Sequence, residues 1–255
     1  MRAGAAMVCP SSQLDWTFQV EWAATDDAVR AAQRLRFAVF AGEMGARLAP
    51  EAMAAGLDRD RFDAFCEHLL VWAVDRSGHA PRQLAGTYRV LTPSGANRAG
   101  GLYADQEFDL SPLDALRSRM VELGRACVHP QWRSGGVILA LWSALGQYMV
   151  RHRFDSMVGC ASVGPLDASA LWHGVRHAYL ARPAWQVQPR CALALCDVAP
   201  LALRAMPPLI KGYLRGGAKV LGPPSWDASF HTADLPIMMR MDELSARYRA
   251  QFLTP

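Results

Sequence analysis

The amino-acid sequence predicts a single domain of mixed α/β (α+β) class. Runs rich in β-branched and aromatic residues alternate with stretches of helical apolar period, in the order helix, hairpin, strand, helix, strand, helix. No repeat, low-complexity tract or Pro/Ser-rich linker interrupts them, so residues 16–255 are expected to form one unit behind a loose arm at residues 1–15. With 51% hydrophobic and 20% charged residues, a chain of 255 residues can fill one sizeable core.

The first helix is expected over Asp26–Ala41, where acidic residues fill the first turn and Val29, Ala32, Leu35 and Val39 make an apolar stripe. Arg36 and Phe40, four apart, share a different face. Residues 42–66 are loop-like and acidic, ending in DRDRFDAF. His68–Val74 and Gln83–Leu91 read as a hairpin across the turn-forming DRSGHAPR. Thr92–Arg119 is irregular, with a short helical piece after Ser111-Pro112. Met120–His129 is the next strand, and Gly135–Arg151 an amphipathic helix with Val137, Ile138, Leu141, Leu145, Tyr148 and Met149 inward. Phe154–Val163 is again a strand. Pro165-Leu166-Asp167 opens a helix to about His177, a strand follows near Cys191–Val198, and Pro207-Pro208 starts a helix that Gly216-Gly217 ends. Leu235–Met241 is the last strand and Asp242–Phe252 the terminal helix.

Composition narrows the classes of function. The six cysteines (Cys9, Cys66, Cys127, Cys160, Cys191, Cys196) form no CxxC pair and no His/Cys metal spacing. A reducing, cytoplasmic compartment without disulfides, and no bound metal, are therefore expected. MRAGAAMVCPSSQ has a shorter apolar stretch than the ~7–15 residues of a signal-peptide core, and no later segment approaches ~18 uninterrupted apolar residues. A net charge of +4 permits an acidic partner or an anionic membrane surface. No dense Lys/Arg tract interleaved with aromatics is present, so nucleic acid is not an expected partner.

The densest chemistry lies in ELGRACVHPQWRSGG, Glu122 to Gly136. A strand carrying Glu122 and Arg125 feeds a helix through Arg133-Ser134-Gly135-Gly136, where free N–H groups and the helix dipole favour an anion. Ionised groups on a core strand are rarely tolerated unless paired or functional. The bland alternative for the turn is a tight strand-to-helix connection, and for Arg36, Asp60, Asp63 and Arg89 a set of ion pairs. Asp58-Asp60-Asp63 is not a calcium loop, since an EF-hand wants Gly at the place of Asp63 and Glu at that of Leu69.

The order strand, Val128-His129-Pro130, Arg133 to Gly136, helix, strand resembles the acyl-carrier-binding segment of the GCN5-related N-acetyltransferase superfamily. The usual pattern separates its last two glycines, whereas Gly135 and Gly136 are adjacent. LRFAVFAGEMG, DRDRFD, GTYRVL and ELGRACV resemble, in order and rough spacing, the acyl-homoserine-lactone synthases. GGLYADQEFDL, VELGRACVHPQWRSGGVI, PPLIKGYLRGGAKVLGPPSWD and SFHTADLPIMMRMDELSARYRAQF resemble more closely the bacterial L-ornithine Nα-acyltransferases of ornithine lipid synthesis, over roughly Arg36 to Phe252.

The resemblance implies a central mixed, mostly antiparallel sheet flanked by helices, and transfer of a 3-hydroxy fatty acyl group from acyl carrier protein to the α-amine of L-ornithine. It implies Glu122 as general base, with Arg125 beside it. The strand edge at Ala126, Cys127 and Val128 would hold the thioester, and the turn Arg133, Ser134, Gly135, Gly136 and Val137 the pantetheine phosphate. No permanently bound cofactor is implied; the acyl-phosphopantetheine of the carrier protein is the donor. An amino-acid carboxylate wants an arginine, which Arg36, Arg89 or Arg125 can supply, and a side-chain ammonium wants a carboxylate, from Asp60, Asp63 or Asp227. In the lactone synthases the counterparts of Arg36, Asp60, Asp63 and Arg89 form an ion-pair cluster, so support of the site is the other role open to them. Lys211, Arg215 and Lys219 suit an acidic carrier protein, an ordinary solvated face or the inner membrane surface. Two further functions stay open: an N-acyltransferase with another amine acceptor, and a non-catalytic carrier- or membrane-binding protein.

Overall fold

The computed structural model describes residues 15–253, so the expected arm at residues 1–15 lies outside the described residues except for Asp15. The chain opens with β1 (Trp16–Trp22), a strand the sequence reading did not place. α1 (Asp26–Phe37) is capped by the Thr25 hydroxyl, which accepts from the Ala28 N–H at 3.3 Å, and it runs on as a π-helical turn, Ala38–Glu43. α2 (Pro50–Ala55) is a short helix inside the stretch read as loop, started by Pro50 and stopped by left-handed Gly56. β2 (Glu67–Asp75) and β3 (Gln83–Leu91) form the expected hairpin. The section expected to be irregular holds α3 (Pro93–Ala99), β4 (Phe108–Asp109) and 3₁₀ turns over Ser111–Arg119.

β5 (Met120–Val128), α4 (Gly136–His152), β6 (Ser156–Val163) and α5 (Pro165–Val175) follow close to their expected bounds. β7 (Gln188–Pro189) pairs with β4 in a small separate ribbon. The strand expected at Cys191–Val198 does not form. That segment lies along α5, tied by Cys196 N–H to Ser169 Oγ and Leu201 N–H to Ala170 O, and only Ala192 bridges to the sheet, at Ser225. Beyond that bridge and the Trp226 N–H to Cys191 O bond beside it, its alternating ALALC pattern joins no ladder. α6 (Pro208–Gly216), β8 (Lys219–Val220), β9 (Ser225–Asp227), β10 (Thr232–Arg240) and α7 (Ala246–Phe252) complete the chain. α7 begins later than expected because the Ser245 hydroxyl caps it through the Tyr248 N–H.

The main sheet runs β1-β2-β3-β5-β6-β10-β8, with β9 also on β10, and every pairing is antiparallel except β5–β6. Its two faces carry different cores. Val121, Met157, Ala161, Leu235 and Ile237 pack under α4, α5, α6 and α7, while Met120, Val158 and Met238 belong to the core beneath α3. α1 lies on that second face, with Leu35 and Val39 against Cys127.

The parallel pair is short. β5 and β6 pair only from Met120↔Ser156 to Glu122↔Val158, after which β5 follows β3 to Val128 and β6 follows β10 to Val163↔Ala233. Gly159 permits the last close approach: a Cβ there would lie 2.4 Å from the Leu123 carbonyl oxygen. Beyond it the sheet opens as a V between Gly124–Val128 and Cys160–Val163.

Candidate active site

One feature of β5 sets the geometry of this opening. Opposite β3 the register steps from Thr87↔Cys127 to Arg89↔Gly124, so Arg125 and Ala126 together face Tyr88: a β-bulge with Arg125 at φ +53°. Strict alternation would send Glu122 and Arg125 to opposite faces. The bulge turns Arg125 to the Glu122 side, and it resets the phase so that Cys127 meets α1 while Ala126 and Val128 pack toward α4.

A cavity of about 520 Å³ runs through the V. On the α1 side its wall carries Phe40, Arg89, Tyr103, Glu122, Arg125, Ser162, Asp227 and Asp234; on the α4 side it is apolar, with Leu123, Ile138, Trp142, Pro207, Leu209 and Tyr213. Ile138, expected in the core, thus lines the cavity. A small extension of about 60 Å³ continues beneath α4, α6 and α7, between Tyr88, Leu145, Met239 and Tyr248. Gly212 lets α6 approach there, since a Cβ would lie 2.2 Å from the Trp142 ring.

Glu122 is 5% exposed and its two oxygens accept from backbone, Oε2 from Tyr103 N–H at 2.6 Å and Oε1 from Ala104 N–H at 2.7 Å. Burial pushes its carboxyl up to about 7, against the pull of those two N–H groups and of Arg89. A carboxylate poised there can take a proton from an ammonium near neutral pH.

Behind the wall stands an arginine–aspartate network. Arg36, fully buried, donates from Nε to Asp58 Oδ2 at 2.9 Å and from Nη2 to Asp63 Oδ1 at 2.7 Å. Arg89 donates to Asp60 Oδ1 at 2.7 Å, and Arg125 reaches Asp60 Oδ2 at 3.1 Å and lies 3.3 Å from Asp58 Oδ2. Three cations thus meet three anions, which offsets their charges, while the buried Arg125 Nε has an ion-pair contact but no hydrogen-bond acceptor. The Arg125 guanidinium also stands over Phe230, 4.5 Å from the ring centre, and over Tyr103 at 5.1 Å.

At the other end of the Tyr103 ring its hydroxyl donates to Asp227 Oδ2 at 3.0 Å, and Asp227 Oδ1 accepts from the Ser229 and Phe230 N–H groups. Asp234, 3% exposed, accepts from the Thr232 hydroxyl at 3.1 Å, and burial raises its carboxyl to about 6.

The turn into α4 has Gly135 as N-cap at φ +104°, a conformation side chains rarely adopt. Arg133 holds the turn to β5 through Nε to the Val128 carbonyl at 3.1 Å, and its Nη2 donates to Glu43 Oε2 at 2.8 Å. The Val128 carbonyl therefore points away from β3, and the Val128 N–H with it, into the V. Cys127 is buried and its thiol is pushed up to about 12, so it is no thiolate near neutral pH.

The model of the acetyltransferase (GNAT) domain family matches residues 35–143. The chain is 36% identical to the L-ornithine N(alpha)-acyltransferase of Agrobacterium fabrum across 91% of its length and 84% of that protein. The chain belongs to the L-ornithine N(alpha)-acyltransferase family. The proteins of that name from Rhizobium meliloti and Brucella abortus are 38% and 37% identical, over 86% and 91% of the chain and 79% and 87% of theirs. Among solved structures, FeeM, an N-acyl amino acid synthase from uncultured soil microbes, superposes with TM-score 0.55 at 13% identity over 94% of this chain and 97% of its own. BjaI, a CoA-dependent acyl-homoserine lactone synthase, gives 0.53 at 14% over 94% and 91%. These two share the fold.

Of the residues singled out in this family member's sequence, the cavity brings together Phe40, Arg89, Glu122, Arg125, Ala126, Cys127, Val128, Arg133, Gly135 and Asp227. Arg36, Asp60 and Asp63, set down as substrate-binding, stand in the network behind the wall, and Ser134, Gly136 and Val137 lie outside the lining. Val137 is fully buried against Gly86, and Gly136 abuts the Phe18 ring. Sequence reasoning missed Asp58, Tyr103, Phe230 and Asp234. Tyr103 and Asp234 sit inside GGLYADQEFDL and SFHTADLPIMMRMDE, the very blocks that carry the resemblance, which was the signal available. Among the described residues no helix is long and apolar enough to cross a membrane, and no group of His, Cys, Asp and Glu is arranged to hold a metal ion.

Proposed function

We propose that this protein transfers a 3-hydroxy fatty acyl group from acyl carrier protein to the α-amine of L-ornithine, giving lyso-ornithine lipid. The observation that carries this reading is Glu122, a buried carboxylate with its proton affinity raised to about 7, at the opening of the sheet between an apolar channel and a charged wall. Its relatives' names supply the acceptor.

The acyl chain enters the channel between α4 and α6, lined by Ile138, Trp142 and Leu209, and the pantetheine arm lies along the free edge of β5 toward Arg133 and Gly135. The ornithine α-ammonium gives a proton to Glu122 and the free amine attacks the thioester carbonyl. The Val128 N–H, on the open side of β5, is available to the developing oxyanion. Collapse breaks the C–S bond and forms the amide: the proton that Glu122 took goes to the departing pantetheine thiolate, and the second proton shed by the attacking nitrogen passes to the freed carboxylate and on to solvent. No acyl-enzyme forms, consistent with the inert thiol of Cys127. Arg125, on the same wall of the cavity as Glu122, pairs with the acceptor carboxylate; Arg36, Asp60 and Asp63 hold it in place through the network. Pro207 and Leu209 at the channel lip lead to Lys211, which with Arg215 and Lys219 gives an acidic carrier protein a cationic face. The lipid product favours a peripheral site on the inner face of the cytoplasmic membrane.

The test is a thiol-release assay with purified protein, 3-hydroxyacyl carrier protein and each amino acid in turn. Acylation of ornithine is expected; rapid acylation of lysine or glycine with none of ornithine would overturn the acceptor assignment. Transfer from acyl-coenzyme A alone would overturn the donor.

A further inference from the structure

Apart from Glu122, the carboxylates at and behind the cavity wall fall into two sets. Asp58, Asp60 and Asp63 are each paired with arginine, whereas among the described residues Asp227 and Asp234 have no lysine or arginine partner. Both are buried and both face the cavity. Their surroundings differ. Asp227 is committed to the Ser229 and Phe230 N–H groups and the Tyr103 hydroxyl. Asp234 accepts only from hydroxyls, those of Thr232 and of Ser162 directly across on β6, which leaves about two of its four acceptor sites open. Arg125 acts on Asp234 only from beyond ion-pair distance, so the two buried carboxylates lack a direct cationic partner, which a positively charged ligand would supply. The donors are not arranged for a metal ion, so the cation is one that needs only hydrogen-bond acceptors.

Tyr103 supplies the ruler. Its N–H donates to Glu122 and its hydroxyl to Asp227, so the side chain runs from the base to the acidic end of the cavity. Extended ornithine separates its two nitrogens by about 6 Å, five bonds of ~1.5 Å in zigzag. With charge-assisted bonds of ~2.8 Å at each end it fits alongside Tyr103. We propose that Asp234, backed by Asp227, seats the side-chain ammonium of the amino-acid acceptor and so selects a dibasic acceptor over a neutral one. The inference rests on the α-amine being the nucleophile at Glu122.

The experiment compares kcat/KM for L-ornithine with that for L-norvaline, the same carbon skeleton without the terminal amine, in wild type and in Asp234→Asn. Wild type should prefer ornithine by roughly 10- to 100-fold. Asp234→Asn should lose most of that preference through a rise in KM for ornithine. Equal use of both acceptors by wild type overturns the proposal without any variant, as does an unchanged ratio in a folded Asp234→Asn. Norvaline acylation with none of ornithine would overturn the functional assignment and the ammonium seat together.

Discussion

Replacing Glu122 with glutamine separates the base from the structural role of the same side chain. The carboxylate accepts from the Tyr103 and Ala104 N–H groups, one on each oxygen. Glutamine keeps one acceptor oxygen and turns an N–H2 toward the other amide, which costs about 1–3 kcal/mol. Against this, the substitution removes a buried charge. The native carboxyl sits at about 7 against an ordinary 4.5, so the folded state binds the proton more tightly than the unfolded chain does. Stability therefore falls as pH rises from about 4.5 to 7, by about 3 kcal/mol, and glutamine abolishes that slope. The two effects nearly cancel above pH 7, so Tm should stay within about 5 °C of wild type. Activity should not: loss of the base costs roughly 100- to 10,000-fold in kcat/KM. In wild type kcat/KM should climb about tenfold per pH unit below 7 and level off above it, because the ionised base is required. A pH-resolved thiol-release assay with matched thermal melts decides. A folded Glu122→Gln protein with wild-type kcat/KM, or with a rate reduced but still rising through pH 7, would refute the assignment.

Three other changes test separate parts of the site. Arg125→Lys keeps the charge but not the planar fork that spans Asp60 and the cavity, so KM for ornithine should rise roughly 10- to 100-fold with little change in Tm; an unchanged KM would place the acceptor carboxylate elsewhere. Asp58→Asn leaves buried Arg36 and Arg125 short of an anion and should cost about 3–5 kcal/mol in urea unfolding, whereas a loss near zero would mean the network is not closed. Gly135→Ala meets no atom within 4 Å, so its cost is purely that of positive φ, about 1–2 kcal/mol, and a rise in donor KM without one in acceptor KM is expected.

Much of the fold was legible because its signals are local. The hairpin, β5, α4 and β6 follow from periodicity and from the Gly135-Gly136 turn, and each forms within a few residues of its expected bounds. β1 was missed because its alternation, WTFQVEW, follows an arm without pattern, and β8 and β9 because two- and three-residue edge strands carry no period. The false strand at Cys191–Val198 shows the converse: alternation that meets its neighbour β9 at a single bridge and goes no further. For the site, the residue types were legible and their juxtaposition was not. Nothing in ELGRACV announces the bulge that turns Arg125 to the Glu122 side, since a positive φ is borne there by arginine and not by glycine. Asp234 was hidden for a different reason. The last strand was expected only from Leu235, whereas β10 starts at Thr232 and carries Asp234, and only the splay of β6 from β5 exposes it to a cavity.

The position of the new amide bond tests the central claim most directly. Purified protein is incubated with 3-hydroxyacyl carrier protein and ornithine labelled with ¹⁵N at the α-nitrogen only, and the product is fragmented in a mass spectrometer. If Glu122 deprotonates the α-ammonium while the side-chain ammonium is held at the far end of Tyr103, the acyl group lies on the labelled nitrogen. An acyl group on the unlabelled δ-nitrogen, or no acylated ornithine at all, contradicts it.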